Sequence, residues 1–291
     1  MAEITIDADL CMKDGLCAMA CTRVVFKQEK KNTIPEIMGL DRCFACGQCV
    51  SICPQNAISH SDFPEGATPI RPEYIPTYDH VLELLRSRRS KRLWKEKAVE
   101  KVLIEKILDA ARFGPSAHNE QTTEFVVVQD QNKIQEIATL TSKGLEKLVH
   151  PFRNPIGRTM MRFAMGRRSA EYVAHLAPEL EHLITLFNNG TDWILRKPPV
   201  LLLFCADSAG GNFANVNANL ALQNAALAAE TLGLGCYYTG FVVIAGSRDN
   251  SIAKSISLPD THKIYGALAM GYPLLKFKKW PERKPARVAW M

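Results

Sequence analysis

Seven of the nine cysteines in this 291-residue chain fall between Cys11 and Cys53, and the other two, Cys205 and Cys236, stand alone in apolar runs. An odd total crowded towards one end fits a disulfide framework poorly, whereas closely spaced thiols favour metal or iron–sulfur ligation. The downstream run Cys43-Phe-Ala-Cys46-Gly-Gln-Cys49-Val-Ser-Ile-Cys53-Pro54 is an unbroken C-x2-C-x2-C-x3-C-P. Three thiolates at three-residue spacing can fold around one corner of an iron–sulfur cubane, and the fourth, ahead of the proline, is turned towards a second cluster. Zinc is the rival. Structural zinc usually pairs two separated C-x2-C knuckles around a tetrahedron, and four cysteines in so short a run suit that badly.

A second cluster requires a second motif. Cys11-Met-Lys-Asp14-Gly-Leu-Cys17-Ala-Met-Ala-Cys21 repeats the downstream offsets, with Asp14 replacing the second cysteine and Thr22 standing where the proline would be. Together the two runs resemble bacterial two-cluster ferredoxins. The resemblance implies one cluster on Cys43, Cys46, Cys49 and Cys21, and another on Cys11, Cys17 and Cys53, with Asp14 facing the fourth iron. A carboxylate is a harder, weaker ligand for that iron than a thiolate. Two readings stand: a corner that exchanges between 4Fe-4S and 3Fe-4S forms, or a permanently three-iron cluster with Asp14 as a turn residue before Gly15.

The elements that carry these motifs form a small domain, 1–60. Between Ser61 and Tyr78 come Pro64, Pro69, Pro72 and Pro76, a density that gives a stiff, extended linker, 61–78. The remainder, 79–291, reads as helical at about 79–90 and 99–113, strand-like at 124–129 and helical again from about Lys133. A polar stretch rich in Met and Arg covers roughly 150–175. A strand at 199–204, an Ala-rich helix at about 215–232 and a strand near 263–270 follow. This alternation points to an α+β or α/β layer around one sheet.

Several segments of this larger part resemble the nitroreductase family of FMN flavoproteins. Arg86-Ser87-Arg88-Arg89-Ser90-Lys91-Arg92 is similar to the family's R-x-S-x-[KR] contact with the flavin phosphate and ribityl chain. Ala110 to Gln121, with Pro115, Ser116, Asn119 and Gln121, is similar to its A-A-x-x-A-P-S-x-x-N-x-Q segment. Leu232-Gly-Leu-Gly leads into Tyr238-Thr239-Gly240-Phe241, as the family's G-L-G leads to residues against the isoalloxazine. Gly271-Tyr-Pro followed by Arg283-Lys-Pro matches the closing elements. Departures are Gly114 for the usual alanine, Thr122 after the glutamine, and a long insert around 150–185. The resemblance implies an α+β fold: a ferredoxin-like two-cluster domain followed by a nitroreductase-like sandwich, its central sheet flanked by helices. It also implies a homodimer with the flavin bound between subunits.

Each segment also has a plainer reading. The cluster at Arg86–Arg92 could be a solvated helix face or a nucleic-acid patch, but interleaved aromatics or a recognised binding module are not visible. A dianionic flavin phosphate suits the planar forks of Arg88, Arg92 and Arg283. Asn119 and Gln121 can read a flavin edge or simply satisfy loop backbone. His118 could donate a proton, yet it has no partner visible in the sequence. The glycines after Leu232 lack the strand-turn-helix context of a dinucleotide fingerprint and read as helix-stop residues. Cys205 and Cys236 read as small core hydrophobes.

Composition sets the remaining bounds. At 47% hydrophobic and 23% charged the chain is an ordinary folded protein. Its longest apolar run, Val200 to Ala206, falls far short of the ~20 residues of a membrane span. The start MAEITIDADL carries acids where a secretory signal carries Lys or Arg, so a cytoplasmic protein without a membrane partner is expected. The net charge of +6 is mild and gives no argument for nucleic acid. Flavin and clusters together make a converter between two-electron and one-electron chemistry, so a separate set of catalytic side chains is not required. The expectation is an oxidoreductase passing electrons from a ferredoxin-like donor through two clusters and FMN to a small organic acceptor. The alternatives are reverse flow from NAD(P)H to a partner, or a non-enzymatic redox sensor or carrier.

Overall fold

A computed structural model of the chain describes residues 2–291. One unit runs to Thr77 and takes in Ser116–Glu120; the other holds Tyr78–Pro115 and Gln121–Met291.

The first unit is built on a duplication. Strand β1 (Ile4–Ile6) pairs antiparallel with β4 (Ile58–His60), and β2 (Phe26–Lys27) pairs with β3 (Glu36–Ile37). Two short helices, α1 (Leu16–Ala20) and α2 (Gln48–Ile52), each begin two residues after the second ligand position of a cysteine run. Each is entered through a glycine in the left-handed region, Gly15 and Gly47, both at φ 74°. Glycine enters that region without steric cost, and a Cβ on Gly47 would also meet the Phe63 ring at 3.0 Å. The core is small: Ile4, Val25, Phe26, Val50 and Ile58, with Cys17 and Cys49. So little apolar burial is marginal for a unit that folds on its core alone.

In the second unit, β6 (Val200–Asp207) fixes the layering. Leu201, Leu203 and Cys205 enter one apolar cluster, and Val200, Leu202 and Phe204 enter another. A strand buried on both faces needs an unbroken apolar run, and this sequence has one. The sheet order is β5 (Glu124–Val128), β6, β8 (His262–Gly271), β7 (Gly235–Tyr238), with every pair antiparallel. Helices α4 (Lys101–Arg112) and α8 (Gly211–Thr231) cover one face. Helices α5 (Gln131–Val149), α7 (Arg167–Asn188) and α9 (Gly240–Gly246) cover the other. Helices α3 (Tyr78–Ser87), α6 (Pro155–Met165) and α10 (Ser251–Ser255) complete the unit. This is the helix-flanked central sheet expected, and its antiparallel pairing makes it α+β rather than α/β.

Two features were not foreseen. The 150–185 stretch is largely helical: it forms α6 and most of α7, whose Ala170, Ala177 and Leu180 enter the core. Strand β7 is only four residues long. Just before it, α8 stops as the glycines suggested, with Gly233 at φ 76° and the Leu234 N–H donating to the Ala229 carbonyl at 2.9 Å. Among the described residues no helix is long and apolar enough to cross a membrane.

Candidate cofactor sites

Two hollows lie in the first unit. One is lined by Cys21, Cys43, Cys46 and Cys49, against Val25, Phe26 and Phe44. The other is lined by Cys11, Asp14, Cys17 and Cys53, against Pro35, Ala57 and Ile58. Each gathers four candidate donors, drawn from both motifs. Among the described residues, no three Cys, His, Asp or Glu side chains converge closely enough to share a single ion. Tetrahedral zinc needs its donors about 2.0–2.3 Å from one point. A multi-iron cluster needs donors arranged around a hollow, and these residues fit that requirement.

Hydrogen bonds favour the thiolate form that ligates, and burial opposes it until metal binds. Backbone N–H groups point at three sulfurs: Val25 at Cys21 (3.3 Å), Ala45 at Cys43 (3.4 Å) and Ala57 at Cys53 (3.2 Å). Such donors stabilise a thiolate and tune a cluster held by it. Burial pushes the Cys49 thiol up to about 11, and nearby Cys46, Cys43 and Cys21 add to the rise. Burial also pushes Cys17 up, with Cys11 and Cys53 adding. Without metal these thiols keep their protons at neutral pH, and ligation removes them. Asp14 is exposed, and one of its carboxylate oxygens accepts the Leu16 N–H at 3.1 Å.

The second unit carries a cleft beside β7. After α3 the Lys91 N–H donates to the Cys236 carbonyl at 3.1 Å, and Ser90 forms a parallel bridge to Cys236. Lys91 turns its ammonium to Glu230, an ion pair that is nearly buried. Arg88 and Ser90 line a cleft of about 400 Å³ with Asn219, Gln223, Cys236, Tyr237 and Tyr238. That volume is in the range of small-molecule sites, about 300–1,000 Å³. Next to Tyr238, Thr239 is 2% exposed and its Oγ1 is buried without a hydrogen-bond partner. An unmet buried hydroxyl costs about 1–3 kcal/mol, which a bound ligand can offset. Arg88 offers a fork to a phosphate and Gln223 an amide donor and acceptor to a ring, so the residues present fit FMN. Burial pushes the Cys236 thiol up to about 11, with Glu230 adding and Arg88 opposing.

The remaining candidates are scattered. Arg92 lies 5.5 Å from the Tyr237 ring centroid and, with Trp94, Trp193 and Arg196, lines a larger cavity of about 730 Å³. That cavity gathers no other candidate cofactor residue, so the smaller cleft is the better flavin site. Arg89 is half-buried and lines neither cavity. Gly240 opens α9, Pro115 is exposed, and Arg283 lies in the exposed tail with its N–H on the Glu282 carboxylate. Ser116 and Asn119 belong to the first unit, where the Asn119 amide donates to the Ala45 carbonyl at 2.7 Å and the His118 ring lies 5.5 Å from Phe44. His118, Asn119 and Gln121 have φ of 53°, 54° and 50°, and such left-handed backbone off glycine concentrates at functional sites. Gly114 has a steric reason: a Cβ there would lie 2.8 Å from the Ala221 backbone in α8. Sequence reasoning placed Tyr238 beside the ring and missed Gln223. The available signal was the i, i+4 pair Asn219 and Gln223, polar residues on one face of an Ala-rich helix.

Residues 85–272, about two thirds of the chain, match the nitroreductase family, and residues 3–54 match the 4Fe-4S dicluster domain. A protein of Methanothermobacter thermautotrophicus with the provisional name NADH dehydrogenase/NAD(P)H nitroreductase is 26% identical over 66% of this chain and 77% of its own. One of Archaeoglobus fulgidus with the same provisional name is 24% identical over 67% and 86%. Among solved structures, a nitroreductase with bound FMN from Bacteroides fragilis aligns at a TM-score of 0.54, with 21% identity over 72% of this chain and 98% of that one. Another with bound FMN, from Desulfitobacterium hafniense, aligns at 0.52, with 19% identity over 74% and 100%. The helix-flanked sheet is thus shared, and the chain belongs to the nitroreductase family, with a 4Fe-4S dicluster domain on its N-terminal side.

Proposed function

We propose that this oxidoreductase takes electrons from a low-potential donor such as ferredoxin through two iron–sulfur clusters to FMN, and on to a nitroaromatic, a quinone or an activated double bond. The observation that carries the reading is the presence, in one chain, of two four-donor hollows and a flavin-sized cleft. FMN exchanges two electrons, as hydride where needed, and each cluster passes one; the protein supplies position and electrostatics. Cys21, Cys43, Cys46 and Cys49 hold one cluster, and Cys11, Cys17 and Cys53 with Asp14 hold the other. Arg88 would hold the FMN phosphate, while Ser90, Thr239 and the Gly240 backbone would offer hydrogen bonds to the rest. The Asp14 oxygen that already accepts a backbone N–H is a weak iron ligand, which favours exchange between three- and four-iron forms.

A second reading reverses the flow: NAD(P)H reduces FMN, and the clusters deliver single electrons to a protein partner. The provisional names of the two archaeal relatives favour it. An anaerobic reductive titration of the reconstituted chain, with iron and flavin measured on the same sample, tests the shared core of both. Near-stoichiometric FMN bleaching together with a broad iron–sulfur band supports it, and iron without flavin under any condition sinks it. Rapid mixing with reduced ferredoxin or with NADPH then separates the directions by which cofactor bleaches first.

A further inference from the structure

His60 is a polar residue in a place that the fold reserves for apolar ones. Along β4 the alternation turns Ile58 and His60 inward and Ser59 outward, into a core of very few side chains. The His60 side chain is 1% exposed. Burying an imidazole so completely is costly unless its nitrogens are satisfied. Its Nδ1 accepts the Asp62 N–H at 3.1 Å, and the edge of the ring meets Phe63 with centroids 5.0 Å apart. An acceptor Nδ1 fixes the tautomer of a neutral imidazole: the proton sits on Nε2, which therefore donates. Nε2 lies 3.6 Å from Cys43 Sγ, within reach for an N–H donor to a large sulfur.

We infer that His60 is a positioning residue whose Nε2–H donates to the Cys43 sulfur and raises the reduction potential of the Cys21/Cys43/Cys46/Cys49 cluster. The inference rests on the cluster assignment proposed above. The two hollows are unequal in donors. Backbone N–H groups of Val25, Ala45 and Val50 reach sulfurs in the first, and those of Ala57, Ala18 and Cys17 reach sulfurs in the second; the first has the His60 ring as well. Reduction adds one electron from a one-electron reductant to one cluster, with no bond made or broken and no proton taken up. Each N–H donor favours the more negative, reduced state, so hydrogen bonds to sulfur raise the potential.

The test is a dithionite titration of the full, reconstituted chain, followed by EPR, on the wild type, His60→Leu and His60→Gln. In His60→Leu the midpoint of one cluster falls below its wild-type value while that of the other stays in place. His60→Gln, whose amide can still donate, lies between the wild type and His60→Leu. Both midpoints unchanged at full iron content would overturn the inference. If His60→Leu does not assemble its clusters, pulsed EPR on wild type grown with 15N-histidine reads the same contact. A 15N coupling to one cluster that His60→Gln abolishes supports it, and no coupling overturns it. A chain that binds no iron at all is a different failure, that of the cluster assignment itself, and is seen at once in the iron analysis.

Discussion

At Arg88, truncation should remove a charge-assisted contact to a phosphate, of the kind that contributes about 1.5–3 kcal/mol. Arg88→Ala is expected to weaken FMN binding by roughly 10- to 100-fold, measured by quenching of flavin fluorescence, with iron content unchanged. An unaltered affinity would move the phosphate elsewhere, with the cavity around Arg92 and Arg196 the first place to look. Asp14→Cys is expected to hold the fourth iron permanently: more iron per chain, and no three-iron EPR signal after brief exposure to air. Unchanged iron and spectra would leave Asp14 as the turn residue that its bond to Leu16 N–H already makes it. These residues could be found in the sequence because ligand and phosphate motifs are local: spacing alone says which thiols or guanidinium groups can act together. His60 could not. Its contact with Cys43 spans 17 residues and depends on the pairing of β4 with β1, and a lone histidine in Ile-Ser-His carries no such signal.

Among the elements, the approach of α8 to the turn after α4 is a tight constraint. The family resemblance would place alanine at 114, yet here a Cβ would press on the Ala221 backbone, which has no flexible atom to move aside. Gly114→Ala is therefore expected to destabilise the second unit by about 1–3 kcal/mol, despite restoring the usual residue. A lower melting temperature on thermal scanning checks this, and a stabilised variant would show that α8 can retreat. The same comparison shows why some elements were easy to read and others not. β6 announced itself because both its faces are buried and its apolar run is continuous. The approximate spans of α4, α5 and α8 followed from period and caps. β7 did not, since four residues after a glycine turn carry too little pattern, and its position comes from pairing with β8. α6 and α7 were hidden by composition: arginines and methionines mask the period, and α7 carries Pro178 within it.

At the scale of the whole molecule, the surface of the second unit bears a feature that a lone copy does not explain. On α8, Phe213, Val216 and Leu220 are 60%, 52% and 39% exposed, a stripe at helical spacing on the helix that also supplies Asn219 and Gln223 to the cleft. Scattered exposed apolar residues are normal, but a contiguous stripe beside a ligand cleft marks a surface used for association. A second copy of the chain is the partner that the family resemblance implies, and a two-fold interface would set each stripe against its counterpart. The flavin-loaded chain is thus expected to sediment as a dimer. Val216→Glu places a charge in that apolar contact, where two copies meet like charge with like, and should shift the population towards monomer. If the cleft is completed by the partner, monomer formation should also release FMN, while the dicluster domain keeps its iron because its donors all lie within one chain. Sedimentation velocity at the flavin absorbance reads both effects together. A wild-type monomer carrying stoichiometric FMN would show that a single chain builds the whole flavin site, and the stripe on α8 would then belong to a different partner.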